Sequence, residues 1–342
     1  MPADTPFSLP GWAVHSGKRH RHGIIVAAIL LAVMAAWLPE MTLGQQFWIA
    51  LLPVMAFGMS HGGADPIIMA DLKRTLGRGN VLWLGSYCLL MLLAVAFIWW
   101  QPELALAGFL LMSVAHFATT DIPFLPPGAP RLAAWLSGSL PIVGPMAGHA
   151  EQVAVMFAWL LQYDPGALVT VVQVTGYALM AVWIVLFAVA VVTTRKRGRL
   201  AVLMELSTLA AVSVLLPPLL AFAFYFCAIH SIRHFIMLMT SLRARQVDVD
   251  IKKLARLATP ATLGAIALSL GAWWFLLEMQ PDREMAWLSE GVRVMFWGLA
   301  VLTVPHALLV ALWSPPVTSH SPSQSLSQNP SQSPSHSPSH SP

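Results

Sequence analysis

The chain is built from long apolar runs with almost no charge, and the length of these runs limits the folds open to it. Ten of them approach or exceed the roughly 20 residues that a helix needs to cross about 30 Å of hydrocarbon. They lie at residues 24–38, 46–62, 81–100, 103–119, 131–147, 167–193, 200–217, 219–240, 257–279 and 292–313. The period-2 alternation of membrane barrel strands is absent. The sequence therefore predicts an all-α, polytopic transmembrane helical bundle.

The predicted number of spans is about 8–10, because the shortest runs also fit re-entrant segments. A further run at 151–163 carries Glu151 and Gln152, and we interpret it as an interfacial helix. Hydrophobic residues make up 57% of the chain and charged residues 10%, whereas soluble domains average about 25% charged. The net charge of +4 then reflects basic loops, so we expect a lipid bilayer around the protein and no nucleic acid partner.

Basic residues orient the bundle. Clusters of Lys and Arg lie at 18–22, 73–78, 195–199 and 243–256. Ten spans place all four on one side, and because positive loops stay inside, we predict a multi-pass protein of the cell (inner) membrane with both termini cytoplasmic. Residues 1–23 then form a cytoplasmic N-terminal arm, and residues 24–313 a membrane-embedded catalytic helical domain. The Ser/Pro-rich tail at 314–342 has almost nothing apolar to bury and is expected to be disordered.

Five histidines lie inside these apolar runs, where a titratable ring is costly and by default marks a functional site. They are His61, His116, His230, His234 and His306. Their spans all run from outside to inside, and each histidine lies about 11–15 residues into its span, within roughly one helical turn of a common depth. Imidazole is also the commonest metal ligand. The pattern therefore predicts one metal centre between helices, in the cytoplasmic half of the membrane.

His230 and His234 are spaced i, i+4, so a helix would present both rings on one face. Such a pair can give two ligands to one metal, although hydrogen bonds to backbone or serine on neighbouring helices also account for it. His306 follows Pro305, which frees a backbone carbonyl. His306 could be a fifth ligand, a base near the metal, or a partner for that carbonyl.

Two acidic residues accompany the histidines. Asp65 lies four residues after His61 and could hold that imidazole through its second N–H, or cap the helix that starts at Pro66. Asp121 follows His116 by five residues. It is either a similar partner or a loop or cap residue, and the second interpretation is favoured.

Arg233 lies between the paired histidines within a span, so it needs a counter-charge. The possible partners are Asp65, Asp121 and Glu205. The remaining histidines of the folded region are left out of the site. Those of the arm, which we expect to be solvated, are His15, His20 and His22, and His149 lies in a loop on the opposite side.

Several neutral imidazoles without an obligate carboxylate suit iron, copper or zinc, and composition does not choose among them. The sequence has no GxGxxG, P-loop or CxxCH motif, which leaves nucleotide and c-type haem chemistry without support; a b-type haem between two histidines stays open. Some aromatic residues are candidate pocket-lining groups, although core packing explains them equally well. They are Phe117, Tyr225, Phe226, Phe235 and Trp297.

Four short motifs in this region form a recognisable set. They are HGGAD at 61–65, AHFxxxD at 115–121, YFxxxHSxRH at 225–234 and a late PH at 305–306. Together they resemble the Brp/Blh family, which are membrane β-carotene 15,15'-dioxygenases related to the bacteriorhodopsin-related protein. The resemblance covers residues 46–313, and Gly63 stands where the family's HGAxD motif has alanine.

The resemblance implies an iron(II) enzyme that cleaves the central 15,15' double bond of β-carotene with O2, giving two molecules of all-trans-retinal. The family's iron-binding, catalytic histidines map onto His61, His116, His230 and His234. The residue pattern itself adds four candidates for supporting or additional site residues, which are His306, Asp65, Asp121 and Arg233. β-Carotene is an apolar rod about as long as the hydrocarbon core is thick, so it could enter laterally from the bilayer. The resemblance also suggests a microbial rhodopsin as the acceptor of retinal.

Three other functions fit parts of the pattern. A non-haem diiron oxidase of the desaturase or hydroxylase kind would need more clustered histidines, including HxxHH boxes, and the sequence has no HxxHH. A membrane metal-ion transporter would show carboxylates along a path through several helices, whereas the acids here are few and lie mostly near span ends. A regulator of rhodopsin biogenesis without catalysis is the third.

Overall fold

The computed structural model describes residues 11–37, 40–76, 80–247 and 250–313. Within these ranges the chain is helical and has no β-strand, which confirms the predicted fold class. The α-helices are α1 Gly11–Ala35, α2 Leu43–Pro53, α3 Met59–Gly62, α4 Asp65–Leu76, α5 Asn80–Trp100, α6 Pro102–Asp121, α7 Leu132–Gly148, α8 Ala150–Leu161, α9 Pro165–Thr193, α10 Lys196–Leu215, α11 Pro218–Ala223, α12 Ile232–Ala244, α13 Ile251–Glu278 and α14 Arg283–Leu312. The tail at 314–342 lies outside the described residues.

Seven helical stretches of the described chain are long and apolar enough to cross a membrane. They are Val81–Trp100, Pro102–Phe124, Pro165–Thr193, Lys196–Leu215, Pro218–Ala244, Ile251–Glu278 and Arg283–Leu312. The other three predicted spans fall on α1, on α2 with the segment after it, and on α7, which are shorter or less apolar. The predicted interfacial segment forms α8, whose 12 residues fall short of the roughly 20 needed to span.

Helices α5 and α13 turn most of their apolar side chains outward. Only 6% of the hydrophobic stretch of each is buried within the protein. Leu92 and Trp99 on α5 and Leu268 on α13 are among the large exposed hydrophobic residues. A continuous apolar surface of this kind is what a lipid environment covers, so these two helices lie at the lipid-facing side of the bundle.

Small residues let the interior helices pack closely. On α7, a Cβ at Gly144 would overlap the Ser213 side chain, and one at Gly148 would overlap the Val214 carbonyl oxygen of α10. On α9, a Cβ at Gly176 would crowd the Met146 carbonyl of α7. Without a hydrophobic driving force between helices in lipid, such close backbone approach supplies the packing energy. Helices α7, α9 and α10 thereby form one closely packed group, and α7 also packs against α6.

Two π-helical segments interrupt the helices that carry sequence motifs. The first, Val54–Gly58, joins α2 to α3, and the second, Phe224–Ser231, joins α11 to α12. They pack on each other where Gly58 faces the Phe226 ring, which a Cβ at position 58 would overlap. The Ser231 hydroxyl donates a 2.8 Å hydrogen bond to the Phe226 carbonyl five residues earlier. Such wide turns rotate side chains off the regular helical faces and are frequent at functional sites.

Candidate metal centre

Four histidine rings meet in the interior of the bundle. His116 comes from α6, His230 from the second π-helical segment, His234 from α12 and His306 from α14. All four residues are at most 7% exposed. The ring centroid of His116 is 4.9 Å from that of His230 and 4.9 Å from that of His306. The His234 centroid is 5.1 Å from that of His306, 6.1 Å from His230 and 6.4 Å from His116.

The distances between these ring centroids fall in the range expected for imidazoles around one metal ion. A ring nitrogen binds such an ion at about 2.1 Å, which places the ring centroid about 3.2 Å from the metal. Two bound rings then have centroids about 4.5 Å apart as neighbours in an octahedral shell and about 6.4 Å apart as opposite ligands. The five centroid distances given above, 4.9 to 6.4 Å, lie within these limits. The donors also fit, because iron, copper and zinc all accept neutral imidazole.

The described side chains do not by themselves form a finished metal site. No group of three or more His, Cys, Asp or Glu among them is arranged to hold a metal ion. The backbone of His61 lies in α3, directly after the first π-helical segment, but its side chain lies outside the described residues. The assignment of His61, His116, His230 and His234 as metal ligands therefore stays a prediction.

The HGGAD motif packs against α13 through its second glycine. A Cβ at Gly63 would overlap the Thr262 hydroxyl and crowd the Ala258 carbonyl, both on α13. Only a residue without a Cβ permits this approach. The motif thereby fixes the start of α4 and with it the position of Asp65.

Asp65, the first residue of α4, joins His306 to a tyrosine that the sequence pattern did not single out. Its Oδ1 is 2.8 Å from Nδ1 of His306, and its Oδ2 accepts a 2.8 Å hydrogen bond from the Tyr87 hydroxyl. The motif spacing predicts a different role, as a partner of His61 or as a helix cap. The available signal for Tyr87 was its place in an apolar run, since a buried tyrosine hydroxyl needs a hydrogen-bond partner.

Arg233 lies beside the imidazoles in a buried ion network. Its Nη1 is 2.9 Å from Asp121 Oδ2, and its Nη2 pairs with Glu205. Asp121 Oδ2 also accepts hydrogen bonds from Tyr225 at 3.0 Å and Ser137 at 2.8 Å. Two of the three expected counter-charges, Asp121 and Glu205, are thus confirmed. The favoured interpretation of Asp121 as a loop or cap residue is wrong, because it ends α6 inside the bundle and is 1% exposed.

The first helix completes this network. Arg21 donates from Nε to Glu205 at 2.8 Å and from Nη2 to the Phe124 carbonyl, so two arginines balance Asp121 and Glu205. His20 Nε2 is 2.8 Å from the Ala228 carbonyl oxygen, and the ring is partly buried. The expectation that His20 is solvated with the arm is therefore wrong: α1 begins at Gly11, and its basic face docks on the acid of α10.

Two adjoining apolar cavities lie between α5, α13 and α14. The first has a volume of about 560 Å³ and is lined by His306, Asp65 and Tyr87 together with apolar residues. The second, of about 890 Å³, continues it along the same helices. Both are lined by Met91, Ala265, Leu268 and Leu302. We call the two cavities together the groove.

The groove is long as well as apolar. Along α5 its lining residues extend from Val81 to Trp99, which is about 27 Å at 1.5 Å per residue. Tyr87 lies between these ends, so the groove continues to both sides of the residue that holds Asp65. Because α5 and α13 form the lipid-facing side, the groove lies where an apolar molecule could enter from the bilayer.

The aromatic candidates divide between the groove and the core. Phe226 lines the first cavity and Trp297 the second. Phe117 is buried, and its ring centroid is 4.6 Å from that of His230. Tyr225 is also buried, and its ring contacts that of Phe117. Phe235 packs against a separate hydrophobic cluster. Phe117 and Phe226 therefore confine the His230 ring from two sides, in agreement with a site shielded from water.

Comparison with known proteins points to one family. The family model described as "Beta-carotene 15,15'-dioxygenase" matches residues 52–314. A protein named "Beta-carotene 15,15'-dioxygenase" from an uncultured marine bacterium, 66A03, is 29% identical over 275 residues, which are 77% of this chain and 92% of that protein. "Probable beta-carotene 15,15'-dioxygenase Blh" from Halobacterium salinarum is 27% identical over 289 residues, 75% of this chain and 81% of its relative. No solved structure matches the chain.

Proposed function

We propose that this chain, which belongs to the beta-carotene 15,15'-dioxygenase family, cleaves the central double bond of β-carotene with O2 to give two molecules of all-trans-retinal. One observation carries the proposal beyond the family assignment: a buried cluster of imidazoles adjoins a long apolar groove through His306. The groove offers hydrophobic surface to a polyene, and the cluster offers donors to a metal at the place where that polyene passes.

The reaction balances without any other reactant. One C40H56 hydrocarbon and one O2 give two C20H28O aldehydes, so the C=C bond breaks, two C=O bonds form, and no proton or external electron is consumed. An iron(II) ion held by His61, His116, His230 and His234 would supply the activation of O2. The overall balance therefore requires no net proton transfer, and the buried acids Asp65, Asp121 and Glu205 are engaged by partners inside the protein.

The groove residues bind and align the substrate. β-Carotene is about as long as the roughly 30 Å hydrocarbon core, and the groove lining covers about 27 Å along α5. Val81 and Trp99 lie toward its two ends, with Tyr87 between them. A rigid polyene that fills this length has its ends fixed, which brings an internal double bond past His306. The apolar walls also exclude water from the reacting bond.

The surrounding residues hold the imidazoles in place. Phe117 and Phe226 pack on His230, and Arg233 ties α12 to α6 and α10 through Asp121 and Glu205. These contacts connect the three helical segments that carry His116, His230 and His234. Their task is to keep the rings at ligand spacing before any metal is bound.

The buried carboxylates argue against a metal-ion transporter. A transport path needs acids that can accept the cation. Asp65 is engaged by His306 and Tyr87, and Asp121 and Glu205 are engaged by arginines. Their charges serve contacts inside the protein, so the enzyme function is the better supported one.

The location of the protein in a membrane fits a lipid-soluble substrate. We propose that the protein lies in the cell inner membrane with both termini in the cytoplasm, and that a microbial rhodopsin accepts the retinal. The basic clusters on one side of the spans support the orientation. Protease accessibility of tags at each terminus in intact inverted vesicles tests it.

Expression in β-carotene-accumulating cells tests the proposed reaction. We expect loss of orange colour and accumulation of retinal, measured by chromatography of extracted membranes. The matched control is His230→Ala, which should leave β-carotene intact while the protein remains in the membrane. Unchanged β-carotene in cells that hold folded, iron-loaded wild-type protein would overturn the proposal.

A further inference from the structure

His306 occupies the point where the imidazole cluster meets the groove. Of the histidines whose side chains the structure describes, His306 alone lines the first cavity. Its ring is also in contact with the cluster, with centroids 4.9 Å from His116 and 5.1 Å from His234. These distances are close to the roughly 4.5–5.2 Å expected for neighbouring ligands of one octahedral or tetrahedral ion.

The contact with Asp65 fixes which nitrogen of His306 can bind a metal. Nδ1 of His306 is 2.8 Å from Asp65 Oδ1. With the carboxylate as the acceptor of this hydrogen bond, we assign the proton to Nδ1. The Nε2 atom of a neutral ring then holds the lone pair. Tyr87 donates to the other oxygen of Asp65 and limits rotation of the carboxylate. A carboxylate behind the imidazole is the usual support of a metal-ligating histidine, because it sets tautomer and ring orientation and raises basicity.

The other roles open to His306 fit less well. The overall reaction does not call for a base, because it consumes no net proton. A partner for the carbonyl that Pro305 frees would use an N–H, and the Nδ1 proton is already given to Asp65. The ring is buried, at 3% exposure, and it lies against the imidazoles of His116 and His234. A carboxylate–tyrosine pair that orients such a ring is best explained if the ring is a metal ligand.

We propose that His306 is a further iron ligand, with Asp65 and Tyr87 as positioning residues that hold its ring; this rests on the proposed function. With His61, His116, His230 and His234 it brings the count to five imidazoles. An octahedral shell then keeps one position open. Among the proposed ligands whose side chains the structure describes, His306 is the one that lines the groove.

Metal content and ligand count test this inference. The wild-type protein, His306→Gly and the control His22→Ala, which removes an exposed histidine, are purified in detergent and titrated with iron(II) under anaerobic conditions. Iron-edge X-ray absorption then counts coordinated imidazoles. We expect His306→Gly to lose one imidazole and at least about 10-fold in iron affinity, the lower end of what loss of a supporting residue alone costs. His22→Ala should match the wild type.

Added imidazole separates a ligand from a structural role. It should restore the absorption signature and the iron affinity of His306→Gly, because a free ring can enter the space left beside the groove. Asp65→Asn and Tyr87→Phe should keep the imidazole count but weaken iron binding, by about 10–100-fold for Asp65→Asn and by less for Tyr87→Phe. A folding defect would not be repaired by imidazole.

The outcomes distinguish this inference from the proposed function. If His306→Gly keeps the wild-type imidazole count and affinity while His230→Ala loses iron, His306 is not a ligand and the proposed function stands. If imidazole fails to restore a folded His306→Gly, the inference is likewise overturned. If the wild-type protein itself binds no iron and forms no retinal, the proposed function is overturned, and the inference about His306 with it.

Discussion

Replacing Arg233 with methionine tests how far the buried ion network holds the site together. Methionine keeps most of the length of the side chain and removes the charge. Asp121 then retains its hydrogen bonds from Tyr225 and Ser137, and Glu205 retains Arg21. The substitution therefore leaves one excess negative charge inside the bundle, with some donors still in place.

The expected cost follows from the burial of the pair. Breaking a buried ion pair by removing one partner costs about 3–5 kcal/mol, because the other charge is left uncompensated. The remaining donors place Arg233→Met near the lower limit, at about 3 kcal/mol. An unfolding entropy of about 2.1 cal/mol/K per residue gives about 1.4 °C per kcal/mol for this chain of 342 residues. The unfolding temperature should therefore fall by about 4 °C. Asp121→Asn added to Arg233→Met should recover part of this loss, since the two residues are in contact.

Thermal unfolding in detergent, followed by tryptophan fluorescence, measures the effect. The matched control is Arg283→Met, because Arg283 pairs with Glu278 at the surface, where the two side chains are 57% and 39% exposed. Surface pairs contribute about 1 kcal/mol or less, so the unfolding temperature of this control should shift by no more than about 1–2 °C. Equal shifts for the two arginines would refute the reasoning that burial makes the Arg233 network important.

Three further predictions address the metal, the packing and the groove. His230→Ala and His234→Ala should each abolish bound iron and retinal formation; elemental analysis showing full iron in either variant would remove that residue from the ligand set. Gly148→Ala should destabilise the protein by about 1–3 kcal/mol, seen as a lower unfolding temperature, because its Cβ would overlap Val214. Ala265→Trp, placed where the two cavities join, should suppress turnover of β-carotene with normal iron content, and unaltered turnover would exclude the groove as the binding site.

The length of the apolar runs was enough to predict the helical class. Inside hydrocarbon, backbone N–H and C=O groups must form their hydrogen bonds within the protein, and a helix does this within one segment. The same sequence reasoning placed His116, His230 and His234 together, since depth along a helix can be counted at 1.5 Å per residue. It could not give the detailed shape of the His230 region, where a π-helical segment replaces the regular helix on which the i, i+4 argument relies.

Partner choice across the chain was the part that the sequence could not supply. The cost of burying Arg233 showed that a counter-charge was needed, but three acids were equally available. Asp65 and His306 are 241 positions apart, and nothing local relates them. Likewise, the basic residues of α1 resemble a solvated arm until Glu205 on α10 is seen to receive Arg21. Such pairings depend on how helices dock, which local pattern does not encode.

The number of retinal molecules formed per β-carotene consumed tests the central claim most directly. The claim is that an imidazole cluster beside a long apolar groove directs cleavage to the central bond. Purified, iron-loaded protein supplied with β-carotene in detergent and air should give a ratio of two, measured by chromatography of both compounds. An apocarotenal longer than retinal together with a fragment shorter than retinal, or consumption of β-carotene without retinal, would contradict the account.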